Sequence, residues 1–555
     1  MNSQFRSGSE AKARKDVLWM VLLLAAALGA RMLFVRTNPV IEVDGVIYAT
    51  LAGNLTAGKG FLGLFGSTEL IFPPLYPLLI AGIMVVTGDA ESAARWVSII
   101  AGTMIVVPVF GLARRMYGRW VAWAASVLTA FYPLMLAAST ATFSEMTFTL
   151  FVFTAVAAAW WGGNKGLKRF FVASGILFGL GHLVKPQAMF LMAAVLAASL
   201  VLLPETRNSG ARALAFLLSM LIPFLLVIAP YVAFLYRHTG KVLLEGKSSV
   251  NYHISRRVGS GMNFKEAAFG LDNEGRSTGI LPDHSRLVGL YGFRDTISTL
   301  PALLRNAVRN LRPMVKKSFL IVFSPVVVAL VAIGWTAKPW DRWRLECELF
   351  LAWTVAALVG MVLALNVVER YFPPMAPFVL IWTARGMRGV VEWFGETSRT
   401  LNLPGTGALA RIFLWILVAA TITSGAGLFM ATTVYSESKV LEARLAGLWL
   451  LQHTPPPRRI MAGHSPIAYY ARGEYFLTPY APAESLLKYA RRHRVEYLAV
   501  DERYLDDRPQ IARWIDPSQA PPGLELLHKV DSVPGGRLVI YKIKYTGEST
   551  SPGPS

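Results

Sequence analysis

A single cysteine, Cys347, stands among 555 residues, so no disulfide forms within the chain and each domain must hold by packing. Charge is scarce too: Asp, Glu, Lys and Arg make up 16% of residues, against about 25% in an average globular protein. The sequence has no glycine-rich phosphate loop, no GxGxxG placed between a strand and a helix, no HExxH and no CxxC. Cytosolic nucleotide chemistry is therefore unsupported. No internal repeat is present.

What is abundant is apolar sequence, at 54% of residues. Runs at 17–35, 95–113, 119–138, 146–161, 169–184, 187–203, 213–235, 317–335, 348–366, 372–387 and 411–433 suit helices that cross the ~30 Å hydrocarbon layer. The expected fold class is a polytopic α-helical membrane protein with about eleven spans and a C-terminal soluble α/β domain. The formal charge of +21 is scattered in short groups beside the apolar runs, the pattern of membrane loops and not of a nucleic-acid surface.

Those groups set the topology. Were the segment 73–86 a span, Arg114/Arg115/Arg119, Lys165/Lys168/Arg169, Arg207/Arg212 and Lys338/Arg342/Arg344 would all lie outside, against the positive-inside bias. A helix there that dips in or lies at the outer interface puts these loops and the N-terminus in the cytoplasm. The first helix, preceded by Arg6, Lys12, Arg14 and Lys15, reads as an uncleaved anchor. The outer side then carries residues 36–94, residues 236–316, the turns at Ser144/Glu145, Lys185/Pro186 and Glu369/Arg370, and the C-terminal domain.

The expected division is a membrane domain over 1–435, a periplasmic α/β domain over 436–545 and a disordered tail over 546–555. Residues 459–462, 468–478, 496–501 and 537–543 read as strands and 483–492 as a helix. His464, Tyr469 and Tyr470 read as packing residues at strand edges.

Glu42-Val43-Asp44-Gly45-Val46-Ile47-Tyr48 is the most informative stretch. Ile47, Leu51 and Leu55 recur every four residues, which predicts a helix lying on the membrane with Asp44 at its start. Asp44 is either a functional carboxylate or an N-cap. Glu145 is either functional or a solvated or capping residue, while Lys185 and Arg370 either serve a site or snorkel to the interface. Convergence favours a site: two carboxylates, two cations and Tyr48, Tyr76 and Tyr371 are predicted at one depth on one face. Cations neutralise a phosphate, and a carboxylate takes a proton from an incoming hydroxyl. Lys247, Tyr252, His253, Arg256 and Arg257 add a basic cluster that closes over an anionic head group or forms a solvated face.

The ordered set of Asp44-x-x-x-Tyr48, Phe72-Pro73-Pro74-Leu75-Tyr76-Pro77, Arg95, Arg114-Arg115-Met116-Tyr117-Gly118-Arg119, Tyr132-Pro133, Ser144-Glu145-Met146, Lys185-Pro186 and Arg370-Tyr371-Phe372-Pro373-Pro374 resembles the GT-C glycosyltransferases over residues 17–390. Within them it is most similar to the branch of protein O-mannosyltransferases and the lipid A aminoarabinose transferase. The resemblance implies an inverting enzyme of the bacterial inner membrane that moves a sugar from a polyprenyl-phosphate donor to a lipid, glycan or protein acceptor on the periplasmic side. It makes Asp44 the general base, and Glu145 the second acidic position, which supports the acceptor side or a metal. Arg370 and Tyr371 match positions near the lipid phosphate.

No cofactor is required by the sequence; a divalent cation, if used, falls to Asp44 and Glu145. The aminoarabinose branch has a basic residue where Phe72 stands, so Lys185 or Arg256 would supply that charge. Those relatives more often carry Asp at the position of Glu145. A transporter or flippase of lipid-linked sugars expects ionisable groups at the midplane, whereas here they cluster at span ends. A non-enzymatic envelope scaffold is the third reading.

Overall fold

The computed structural model describes residues 2–203, 205, 209–280, 288, 293–319, 322–365, 367–401, 406–432, 441–506, 508–532 and 536–545. The tail expected over 546–555 lies outside them. Two compact units result: Met1–Thr37 with Pro73–Phe234 and Ser298–Tyr435, and Asn38–Phe72 with Leu235–Ile297 and Ser436–Ser555.

The first unit is helical, and its apolar runs fall on helices as expected. Among the described residues, six helices of the chain are long and apolar enough to cross a membrane: Arg14–Thr37, Ala90–Tyr117, Glu145–Lys165, Gly210–Thr239, Arg342–Ala364 and Ala408–Ala426. The pair Arg119–Phe131 and Pro133–Thr140, bent by 49°, would make a seventh. Pro133 lacks the N–H needed to continue the preceding helix and opens the next one instead. Lys168–His182, Gln187–Leu202 and Pro325–Thr336 are shorter.

Leu75–Thr87 has 13 residues and ends at Gly88, whose φ of 77° suits a residue without Cβ. At about 1.5 Å per residue it reaches some 20 Å, too short to span. Helices elsewhere approach closely through glycine: a Cβ on Gly386 would sit 1.8 Å from the Leu330 carbonyl, and one on Gly334 2.7 Å from that of Trp382. The first helix is tied to the basic turn by Asp16, which accepts from Arg114 at 3.1 Å and Arg119 at 2.8 Å.

The second unit is built on a five-stranded sheet of order β2-β1-β3-β5-β4, with β1 Arg459–Ala462, β2 Glu474–Leu477, β3 Tyr497–Asp501, β4 Leu524–Ser532 and β5 Gly536–Ile543. β2, β1 and β3 are parallel, while β5 runs antiparallel to β3 and β4. Strand alternation feeds two cores. Ile460, Ala462, Tyr497, Ala499, Leu538 and Ile540 face the helices Leu441–His453 and Pro466–Tyr470. Met461, Leu498, Val500, Val539 and Tyr541 face the helix Ala483–Arg492 and Trp514.

The strand expected over 468–478 is corrected. Pro466 opens a short helix through Tyr470, then Arg472 at φ 49° and Gly473 turn the chain before β2. Tyr469 and Tyr470 thus sit on a helix, not a strand edge. The segments Asn38–Phe72 and Leu235–Ile297 join this unit. Leu64 packs on the first core, Phe65 lies 6.2 Å from the Tyr475 ring, and Leu271 packs on the second core.

Candidate functional site

In the helical unit the side chains expected at span ends meet. Glu145 opens the helix Glu145–Lys165, with its side chain 5% exposed. Lys185 sits in the turn between Lys168–His182 and Gln187–Leu202, and its Nζ lies 2.6 Å from Glu145 Oε1. Glu145 Oε2 is buried without a hydrogen-bond partner among the described residues. The Lys185 ammonium also lies 5.5 Å from the centre of the Tyr371 ring.

Arg370 and Tyr371 belong to the short Glu369–Tyr371 turn after the span Arg342–Leu365. The Arg370 guanidinium stacks between Phe143 at 5.1 Å and Tyr371 at 5.2 Å, and its Nη2 donates to Tyr371 Oη at 3.3 Å. Beside this group lies a cleft of about 50 Å³ lined by Glu145, Lys185, Gln187 and Tyr371 on the polar side and by Phe148, Leu358, Met361, Val362 and Pro374 on the apolar side. A charged mouth on an apolar wall suits an amphiphile with an anionic head.

Tyr76 belongs to the same unit. It is fully buried, and its hydroxyl donates to the Ala94 carbonyl at 3.3 Å and lies 3.1 Å from Ser98 Oγ.

Asp44 and Tyr48 lie in the other unit, on the helix Val43–Thr56. The N-cap is Glu42, so Asp44 is not the cap; it sits in the first turn, where helix dipole and orphan amides favour a carboxylate. The buried stripe is Gly45, Tyr48, Ala49 and Ala52 together with Val46 and Leu51, while Ile47 and Leu55 are half-buried. Tyr48 follows Asp44 by one turn and meets Phe72 edge to face at 5.4 Å.

Lys247 brings its ammonium 5.4 Å over that same Phe72 ring. The position expected to draw charge from Lys185 or Arg256 therefore has Lys247 beside it. Lys247 opens the helix Lys247–Gly259, which carries His253 half-buried next to Tyr252 and Arg256 exposed. Arg257 is spent on the carbonyls of Ala267 and Thr278.

The structure thus gathers Glu145, Lys185, Arg370 and Tyr371 in one unit and Asp44, Tyr48, His253 and Arg256 in the other. Sequence reasoning passed over Phe143 and Gln187, although each stands within two residues of a residue it singled out. It also passed over Leu358 and Val362, whose four-residue spacing marks one face of a span. Among the described residues no three His, Cys, Asp or Glu side chains gather as a metal site requires. Glu145 already holds the Lys185 ammonium, which makes the cluster a poor fit for a divalent cation.

Residues 72–234 match the family described as dolichyl-phosphate-mannose-protein mannosyltransferase, under a third of the chain. No curated protein matches the sequence. Among solved structures, the chain is similar to ArnT from Cupriavidus metallidurans bound to undecaprenyl phosphate, with a TM-score of 0.56 and 14% identity over 94% of this chain and 98% of that one. It is also similar to the archaeal oligosaccharyltransferase AglB from Archaeoglobus fulgidus in complex with an inhibitory peptide and a dolichol-phosphate, with a TM-score of 0.54 and 14% identity over 88% of this chain and 70% of that one. Identity this low speaks for the fold alone.

Proposed function

We propose that the chain, which shares its fold with solved GT-C glycosyltransferases, is a membrane glycosyltransferase that passes a sugar from a polyprenyl phosphate to a hydroxyl-bearing lipid, glycan or protein. The positive-inside pattern supports a bacterial inner-membrane protein with its N-terminus in the cytoplasm and its acceptor on the periplasmic side. The observation that carries the reading is the Glu145–Lys185–Arg370–Tyr371 cluster opening on the apolar cleft of Phe148, Leu358, Met361 and Val362.

Asp44 takes the proton from the acceptor hydroxyl as its oxygen attacks the anomeric carbon from the side opposite the phosphate. The bond from that carbon to the phosphate oxygen breaks with inversion, and the lipid phosphate leaves with the electron pair. Lys185 and Arg370 neutralise the charge that gathers on it. Glu145 holds the Lys185 ammonium at the cleft mouth, and the apolar wall takes the start of the polyprenyl chain. Tyr48 lies one turn from the base with Phe72 against its ring and Lys247 over Phe72, and His253 and Arg256 follow on the Lys247–Gly259 helix. No step runs through a metal ion.

The test is transfer from a labelled polyprenyl-phosphate sugar by the purified protein in lipid nanodiscs. Lys185→Ala and Arg370→Ala should each weaken turnover by about 10²-fold or more, in the range for removing one transition-state charge partner. Wild-type rates in both variants would refute the reading.

A further inference from the structure

The chain that leads into the Asp44 helix is held by residues more than four hundred positions further on. Tyr470 Oη accepts the Ile41 amide at 2.9 Å, and Arg444 Nη1 donates to the Pro39 carbonyl at 2.6 Å. Val40, Ile41 and Tyr470 are all buried. The Arg444 guanidinium lies 5.5 Å over the Tyr470 ring, so the two holding side chains also fix one another. Between these points and Asp44, Asn38 Nδ2 donates to Glu42 Oε1 at 2.7 Å, and the Glu42 carbonyl accepts Val46 N at 2.9 Å. Every residue from 38 to 42 is thus buried or bonded, up to two positions before Asp44.

The holding residues are themselves firmly seated. Tyr470 ends the helix Pro466–Tyr470, and Arg444 lies on Leu441–His453. These helices cross at Gly447, where a Cβ would meet the Ile467 carbonyl at 2.5 Å and Tyr470 Cβ at 2.6 Å. Both helices lie on the Ile460, Ala462 and Tyr475 face of the sheet. Leu64 and Phe65 press on that core as well, so the outer loop is gripped on both sides of the Val43–Thr56 helix.

We propose that Tyr470 and Arg444 are positioning residues through which the C-terminal α/β domain sets the backbone at Asp44. The inference rests on the reading of Asp44 as the base. It assigns the domain to the catalytic apparatus, by orientation of a carboxylate and without contact to the reacting atoms. A base displaced by about 1 Å loses on the order of 10²-fold in rate, so one hydrogen bond that fixes the helix start acts on turnover.

Tyr470→Phe in the full chain keeps the ring under Arg444 and leaves the buried Ile41 amide without its acceptor. Turnover should fall about tenfold, a fraction of the full misplacement loss, with KM for donor and acceptor unchanged. Amide exchange at Ile41 should accelerate. Arg444→Ala should behave alike, and Arg444→Lys should recover part of the loss. Tyr475→Phe removes a different buried hydroxyl bond of the same domain, to the Ala462 carbonyl at 3.4 Å, and serves as the control for general destabilisation.

The inference is overturned if Tyr470→Phe retains wild-type turnover, if its loss appears in KM, or if Tyr475→Phe lowers turnover equally. Asp44→Asn assayed alongside separates the two levels. An active Asp44→Asn chain removes the premise, whereas an inactive one beside an unimpaired Tyr470→Phe removes only the positioning role.

Discussion

Lys185 Nζ and Glu145 Oε1 lie 2.6 Å apart, joining the turn before one helix to the first turn of another across forty residues of sequence. Both side chains are largely withdrawn from water, at 17% and 5% exposure. Removal of one partner from a buried pair strands the other charge, at a cost of about 3–5 kcal/mol. Lys185→Met and Glu145→Gln should therefore each lower the thermal midpoint in detergent, and the double variant should lose less than the sum of the two. Additive losses would mean that the two groups do not act as a pair.

The apolar wall of the cleft should be felt in donor binding. Leu358 and Val362 are buried one turn apart on the same face. Leu358→Asn trades apolar contact for an amide and should raise KM for a long-chain donor about tenfold, the equivalent of roughly 1.4 kcal/mol, with kcat nearly unchanged. An unchanged KM would place the lipid elsewhere.

Gly334 and Gly386 allow the helices Pro325–Thr336 and Ala376–Thr400 to touch backbone to backbone. Gly386→Val must force them apart, because a Cβ would fall 1.8 Å from the Leu330 carbonyl. The variant should destabilise by several kcal/mol, at about 1–3 kcal/mol or more for overpacking, and accumulate poorly in the membrane. Normal yield and thermal midpoint would contradict the close crossing.

The C-terminal domain should respond to pH through two buried groups whose slopes oppose. Burial lifts Asp501 to about 6 and pushes His464 down to about 3, with Arg503 and Arg508 near the imidazole adding to its fall. A carboxyl raised in the fold contributes stability that is present below its unfolded value of about 4 and declines as pH climbs to about 6. His464 acts in reverse: the unfolded ring takes a proton below about 6.5, so its contribution grows with pH from about 3 upward. Asp501→Asn retains a side-chain oxygen to cap Arg503 N, bonded at 3.0 Å, and removes the first slope while leaving a neutral amide where Asp501 Oδ2 lay 3.6 Å from His464 Nε2. Its thermal midpoint should rise with pH between about 4 and 6, where wild type stays nearly level. A flat profile in the variant would contradict this assignment.

Hydropathy and loop charge made the membrane class and the short helix at 75–87 legible, because both depend on composition along one segment. β1, β3 and β5 were readable as short apolar runs, buried almost throughout. β4 was missed since, as an edge strand, its Glu525, His528 and Lys529 break the apolar pattern. Of the strand expected over 468–478 only 474–477 forms, because Pro466 favours a helix start over a ladder position.

At the site, sequence gave each residue a depth along its span but no direction around it. Glu145 and Lys185 were therefore nominated separately, and their ion pair was not foreseen. The cation at Phe72 was not foreseen, since Lys247 lies 175 positions away and only the fold brings its ammonium to that ring.

Asp44 is proposed to remove the acceptor proton. Its most direct test is single-turnover transfer by Asp44→Asn in nanodiscs, with donor binding measured on the same sample. Wild-type donor affinity is expected, with transfer reduced by about 10²–10⁴-fold, the usual range for a lost general base. Transfer within a few-fold of wild type would contradict it.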